Sequence, residues 1–511
     1  MKLLKKVSVL VVAVAMMVGI ISPTFTAASV VGKGSLQINR EGATYNLYKV
    51  LDSETEVIGD KEIPIFSVNS SFTSFFNGDS EYTFESDKGI LKNGVLVVSS
   101  DKLLGTDSTE DYKQSPEMQD LTKALANFIL TNNVSPTVLK GNVKSVLNQG
   151  YYLVLEDHTT ITSNGNSGRV PSQAMLINIT KGEDVSIFPK DSEFTIDKVV
   201  EEGNDNVAQI GTEKNYKITS SVPTYPSNYT DITYKITDTM SKGLTLNEAS
   251  INVMIGNTAV IVDGAVKEEY TSYFKSFDII KNSDGTTTTI FDFNYEALKA
   301  AALVGQPVTI TYTAKINENA LVHDPNTNEA ELEYSTSPDG NTTGGIITDE
   351  TETYTYGLDL LKLDGSNKTT VLAGAKFEIR DNAGNVVGTV TTGEDGKASF
   401  VGLGEGTYTI TEIEAPNSEY ALLDGEITIK ITADPNNKAN CTVELKDGKV
   451  EIIDNVTVEN GTISFNVYNY KGINLPETGG MGTTIFMVGG ASLILLAGVM
   501  LVVYSKKSKK A

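Results

Sequence analysis

One cysteine and two histidines are all that this 511-residue chain offers of the usual stapling and metal-binding side chains. The single thiol, Cys441, cannot form an internal disulfide, so any lock on the folded chain must come from other chemistry. A buried, inert thiol is its default role. His158 and His323 stand far apart, with no Cys or His beside either, which argues against the common zinc ligand sets. Two histidines also leave no Ser–His–Asp or Cys–His constellation, so no metal, no cofactor and no turnover enzyme is expected. Basic charge is in short supply as well. Lys and Arg total 41 against 65 Asp and Glu, a net charge of −24, which argues against a nucleic-acid partner and favours solubility in the open medium.

The basic residues that exist are conspicuous at the two ends. Met1-Lys2-Leu3-Leu4-Lys5-Lys6 precedes an apolar run from Val7 to Ile21, and small residues follow at Thr26, Ala27 and Ala28. This is the layout of a secretory signal peptide over residues 1–28, and the apolar run is short for a retained anchor. Near the other end, Leu475-Pro476-Glu477-Thr478-Gly479 is followed by an apolar stretch over 484–504 and a lysine-rich tail over 505–511. The stretch is long enough to cross a bilayer as a helix, and the basic tail assigns its far side to the cytoplasm. The bulk of the chain is therefore expected outside the cell.

Between the ends, runs rich in Val, Ile, Thr and Tyr alternate with turn clusters such as Ser283-Asp284-Gly285 and Glu394-Asp395-Gly396. Three segments follow, at 29–190, 191–350 and 351–473. The fold class expected is mainly β, with three tandem immunoglobulin-like sandwiches, the first carrying an inserted helix. That helix should start at Ser115 and Pro116 and bury Met118, Leu121, Leu125 and Phe128. A shorter helical stretch is expected at about Tyr295 to Val304.

Strand alternation singles out polar groups on apolar faces. In the third segment Lys362 shares a face with Leu358 and Leu360, Glu412 with Tyr408 and Ile410, and Asn469 with Ile463, Phe465 and Val467. In the second, Lys198 follows Phe194 and Ile196, Asp238 follows Tyr234 and Ile236, and Asn328 precedes Ala330, Leu332 and Tyr334. Burying such groups singly is costly, and burial favours the neutral forms of amines and carboxylic acids. If the three meet, a neutral lysine amine can attack the Asn carbonyl while the acid handles protons, giving a Lys–Asn isopeptide bond and ammonia. The alternative at this point is two buried salt bridges, or lysines that reach solvent at strand ends. In the first segment Arg40 follows Leu36 and Ile38. A guanidinium stays protonated and cannot be the nucleophile, so no bond is expected there, although Glu156 resembles the acid.

The third segment resembles a Cna B-type domain of Gram-positive surface proteins. The features that carry the likeness are Leu372-Ala373-Gly374-Ala375-Lys376-Phe377, Gly402-Leu403-Gly404-Glu405-Gly406-Thr407-Tyr408, and Glu412 followed by Ala415-Pro416 and Tyr420, a stretch similar to the E-box of major pilins. The second segment is similar to the middle domain of such pilins around Ile236-Thr237-Asp238-Thr239 and Asn328-Glu329-Ala330. The resemblance implies cross-links Lys198–Asn328 and Lys362–Asn469, promoted by Asp238 and Glu412. Residues 475–479 in their context resemble a cell-wall sorting signal. That implies cleavage by a sortase between Thr478 and Gly479 and transfer of the Thr478 acyl group to an amine. Val185-Ser186-Ile187-Phe188-Pro189-Lys190 resembles the pilin motif, with Phe188 in the place of tyrosine, and makes Lys190 the acceptor in the next copy. The resemblance as a whole implies the shaft subunit of a covalent, wall-anchored pilus, supporting adhesion or biofilm formation. Its partners would be pilus-class and housekeeping sortases, other copies head-to-tail, minor pilins, peptidoglycan and host surface ligands. The alternatives are a monomeric wall-anchored adhesin or a minor pilin.

Overall fold

The computed structural model describes residues 31–472, apart from 59–60, 101–115, 162–164, 190–191, 202–205, 227–228, 338–344 and 448–452. The signal peptide, Ser115, Lys190, Thr478 with the rest of the sorting motif, the apolar stretch and the basic tail lie outside the described residues. The chain forms two compact units. One holds the described residues of 31–204, 213–315 and 327–351; the other holds those of 205–212, 316–326 and 352–472.

The first unit begins with short strands whose alternating apolar residues are buried. Lys33–Ile38 pairs in parallel with Asp184–Ile187 and antiparallel with Ser145–Asn148. A second sheet runs through Thr44–Ile58 and Gly150–Glu156. The helix expected in this segment covers Pro116–Asn132 and buries Leu121, Leu125, Phe128 and Ile129. Phe128 packs edge-on to Phe75 with ring centroids 5.3 Å apart, and Met118 lies against the same cluster half-buried. The later part of the unit is built on two sheets. Six strands include Asp197–Val200, Glu213–Ser221 and Pro307–Ile316; five include Tyr234–Met240 and Asn326–Tyr334. The short helix is Tyr295–Ala300, and the Asn294 side chain caps its N-terminus at Ala297.

In the second unit, four strands and five strands enclose a core built from Leu358, Leu360, Phe377, Tyr408, Ile410, Ile463 and Phe465. The strand Tyr356–Asp364 lies parallel to Thr462–Asn469, the last described strand of the chain. Residues 207–210 also pack here: Ile210 N–H donates to Gly402 O, and a Cβ at Gly402, whose φ is +76°, would lie 2.1 Å from Ile210 Cδ1. A side chain at Gly402 would therefore displace Ile210, and a Cβ at Gly404 would lie 2.8 Å from the Gln209 backbone N. Cys441 is buried in the same core, and burial pushes its thiol up to about 11.

Candidate functional site

In the second unit, alternation delivers Lys362 and Asn469 to one sheet and Glu412 to the other, all pointing inward. Lys362 is wholly inaccessible and Asn469 and Glu412 nearly so. Lys362 Nζ donates to Asn469 Oδ1 at 2.5 Å and lies 3.2 Å from Glu412 Oε1. Asn469 Nδ2 donates to both Glu412 oxygens, at 3.0 and 2.9 Å, and to Ala421 O at 3.0 Å. Glu412 is itself held by the Leu423 N–H, 2.8 Å from Oε2. Every polar atom of the three therefore has a partner, which is the condition for burying them. Burial outweighs the attraction of Glu412 and pulls the Lys362 ammonium down to about 8. A stem packed against the Phe377 ring, 5.3 Å from Nζ, keeps the amine from solvent.

That depression has a measurable consequence in a chain unable to cross-link. In Asn469→Ala the lysine remains free. Between about 8 and its ordinary 10.5 the unfolded chain binds the extra proton and the folded one does not, so stability rises with pH across that window. The rise expected is up to ~3 kcal/mol, and below the window the penalty is present in full. Denaturant melts of this variant at pH 7.5 and 10.5 read it directly; a flat or falling midpoint would contradict it.

The middle cluster uses the six-stranded and the five-stranded sheet of the later part of the first unit. Lys198 comes from Asp197–Val200; Asp238 and Asn328 come from Tyr234–Met240 and Asn326–Tyr334, which pair with each other. All three are buried. The chain interrupts its strand at Ile196, yet Phe194, Ile196 and Lys198 all stay inside. Lys198 Nζ contacts Asp238 Oδ1 directly, and burial lowers its ammonium despite that carboxylate. Asn328 reaches the amine through a group that alternation did not single out: the Tyr312 hydroxyl accepts from Lys198 Nζ at 2.7 Å and from Asn328 Nδ2 at 2.9 Å. Tyr312 sits on the buried face of Pro307–Ile316 with Val308, Ile310 and Ala314, so by pattern it looks like another core aromatic.

The first segment differs. Arg40 lies beyond the end of its strand at Ile38, about a third exposed, with Nη2 2.7 Å from Glu193 Oε1. The expectation that it continues the buried face is corrected by that strand end. A guanidinium does occupy the nucleophile's place against Glu156, but it belongs to Arg169, whose Nη2 is 2.6 Å from Glu156 Oε1. Ser172 N–H donates to the other oxygen at 2.7 Å. Arg169 lies on Ser167–Val170, a strand too short for its pattern to be read. In the pilin-like stretch, Val185 is buried on Asp184–Ile187 while Phe188 is 77% exposed.

The two units make a multi-domain, mainly β protein with amine, amide and acid groups buried inside its sandwiches. The comparisons with known proteins agree. Residues 210–338 match a family described as Gram-positive pilin backbone subunit 2, Cna-B-like domain, and residues 357–449 match the SpaA prealbumin-like fold domain. The trypsin-resistant surface T6 protein of Streptococcus pyogenes serotype M6 is 28% identical over 373 residues, 60% of this chain and 66% of that protein. The fimbrial subunit type 2 of Actinomyces naeslundii is 23% identical over 377 residues, 66% of each. The matches thus span 66% of the length of either relative. The solved T6 backbone pilin, a modular three-domain structure, superposes with a TM-score of 0.57 at 22% identity, covering 87% of this chain and 99% of that one. Residues 210–338 and 357–449 thus carry domains of the Gram-positive backbone pilins, a structural family of surface pilus subunits, Cna-B-like in the first stretch and prealbumin-like in the second.

Proposed function

We propose that this chain is the shaft subunit of a sortase-assembled pilus, joined covalently from Thr478 of one copy to Lys190 of the next and locked internally by Lys198–Asn328 and Lys362–Asn469 bonds. The observation that carries the internal chemistry is the buried Lys362–Glu412–Asn469 cluster, in which the amine meets the amide oxygen at 2.5 Å and Glu412 Oε1 lies 3.2 Å from the amine and 3.0 Å from the leaving nitrogen. The step balances as follows. Glu412 takes one proton from the Lys362 ammonium, and the freed Nζ pair attacks Asn469 Cγ. A second proton passes from Nζ by way of Glu412 to Nδ2, the Cγ–Nδ2 bond breaks, and ammonia leaves with Glu412 protonated. A salt bridge alone is a poor account of this burial. A buried ion pair often does no better than apolar residues of the same volume, whereas a bond removes the charge altogether.

Outside the folded modules, the same logic of acyl transfer to an amine applies between copies. One acceptor and one donor per subunit form a head-to-tail, heterologous contact, which grows an open filament. Secretion and attachment to peptidoglycan follow from the two chain ends, and domain limits near 190 and 350 divide the ectodomain into three modules. Intact mass of the secreted ectodomain tests the internal bonds. It is expected to fall short of the sequence mass by two ammonias, one in each of the peptides joining 198 to 328 and 362 to 469. A full sequence mass would sink both.

A further inference from the structure

We propose that Tyr312 is a catalytic residue of the middle cross-link, relaying a proton from Lys198 Nζ to the departing Asn328 Nδ2 and so doing the half of the work that Asp238 is too short to do. This rests on the cross-linking reading above. The two clusters differ in how far the acid reaches. In the second unit the glutamate spans the whole reaction, with Nζ of Lys362 3.2 Å from one oxygen and Nδ2 of Asn469 within 3.0 Å of both. Asp238 is one methylene shorter. Its Oδ1 meets Lys198 Nζ, while Oδ2 has no hydrogen-bond partner among the described residues. The atom that meets Asn328 Nδ2 is the Tyr312 oxygen, at 2.9 Å, and the same oxygen is 2.7 Å from Nζ.

A hydroxyl can accept on one lone pair and donate its own hydrogen in the same event. Asp238 first takes a proton from the Lys198 ammonium. As Nζ bonds to Asn328 Cγ, Nζ passes a second proton to the Tyr312 oxygen. Tyr312 gives its original hydrogen to Nδ2, the Cγ–Nδ2 bond breaks, and ammonia leaves. Tyrosine ends as it began, Asp238 ends protonated, and no other reactant is needed. The surroundings suit that task. Tyr312 stacks on Tyr216 with ring centroids 5.4 Å apart, and Lys198 Nζ lies 5.4 and 5.8 Å from the two rings. Burial and the neighbouring Asp238 hold the Tyr312 hydroxyl well above its ordinary value, so it stays protonated and able to donate.

The test follows ammonia loss by peptide mass after expression of the whole ectodomain, with the third-segment bond as internal control. In Tyr312→Phe, ammonia loss between Lys198 and Asn328 is expected to slow at least ~100-fold, the lower end for a general acid–base group. The Lys362–Asn469 bond should form as before. Tyr216→Phe, which makes the same change to the stacked partner, should cross-link normally. Asp238→Glu in the Tyr312→Phe background should restore the bond, because a longer acid regains the reach to Asn328. Cross-linking of Tyr312→Phe at the native rate would overturn the proposal. So would equal loss in Tyr216→Phe without rescue by Asp238→Glu, since that describes packing. Absence of the middle bond in the native chain would instead remove the reading beneath it.

Discussion

Replacing Lys190 by alanine is expected to abolish the high-molecular-weight ladder on denaturing gels and leave a single wall-linked species. The expectation rests on stoichiometry. On the proposed assembly Thr478 supplies one acyl donor per copy, and a filament then needs one acceptor per copy at a fixed place. Paired strands stand on either side of position 190. The preceding strand, Asp184–Ile187, is held along its length against Lys33–Ile38, and Asn39 N–H closes on Ile187 O at 2.8 Å. After it, Ser192–Thr195 is held against Ser167–Val170. The described chain ahead of position 190 ends in an anchored strand, the outward Phe188 and a proline without an N–H to donate. Lys190→Arg should fail as completely as alanine, because the guanidinium stays protonated and cannot attack a thioester. Wall attachment should survive in both, since the Thr478 acyl group can still be taken by a peptidoglycan amine. A ladder that persists in Lys190→Ala would assign the acceptor to another lysine; a native chain that never forms one would favour the monomeric adhesin.

Much of the site was legible in the sequence because its members obey the same period as the core. Lys362, Glu412 and Asn469 each stand two residues from an apolar neighbour on the same strand face, and the structure brings all three together. Period-two reasoning works while a strand continues and fails where it stops. Arg40 was expected inside because Leu36 and Ile38 are inside, but pairing ends at Ile38 and the guanidinium turns to Glu193. The opposite failure is Tyr312. It obeys the pattern, so the pattern gives no reason to separate it from Ile310 or Ala314; only the convergence of two sheets shows that its hydroxyl joins an amine to an amide. Arg169 had no pattern at all, being placed by the pairing of Ser167–Val170 with a strand more than twenty residues away. What the sequence could not supply, in each case, was distance across a sandwich.

Glu412→Ala is expected to be the most damaging single change to the second unit, for two separable reasons. The first is chemical. Without the acid, neither proton transfer has a carrier, so the ectodomain should regain one ammonia of mass while the middle bond still forms. The second is energetic. The chain would keep a fully buried lysine with no carboxylate beside it, and breaking a buried pair in this way costs about 3–5 kcal/mol. The lost bond adds to that. Lys362 and Asn469 are 107 residues apart, and a cross-link closing a loop of that size is worth roughly 5 kcal/mol by analogy with a disulfide, through restriction of the unfolded chain. A fall in melting temperature on the order of 30–40 °C follows for a domain of this size, with trypsin cleavage inside the third segment. Asn469→Ala separates the two contributions, because it loses the bond but keeps the Lys362–Glu412 pair, and it should melt between the native chain and Glu412→Ala. Force should magnify the difference. Tyr356–Asp364 and Thr462–Asn469 open and close the module and lie side by side in parallel, with Asp364 opposite Asn469. Tension applied through the two ends loads those strands in shear. A Lys362–Asn469 bond would carry the load past the module without unfolding it, whereas Glu412→Ala should extend by nearly the full loop between the two residues when pulled. An unchanged extension in single-molecule pulling would mean that the cross-link never carried the load.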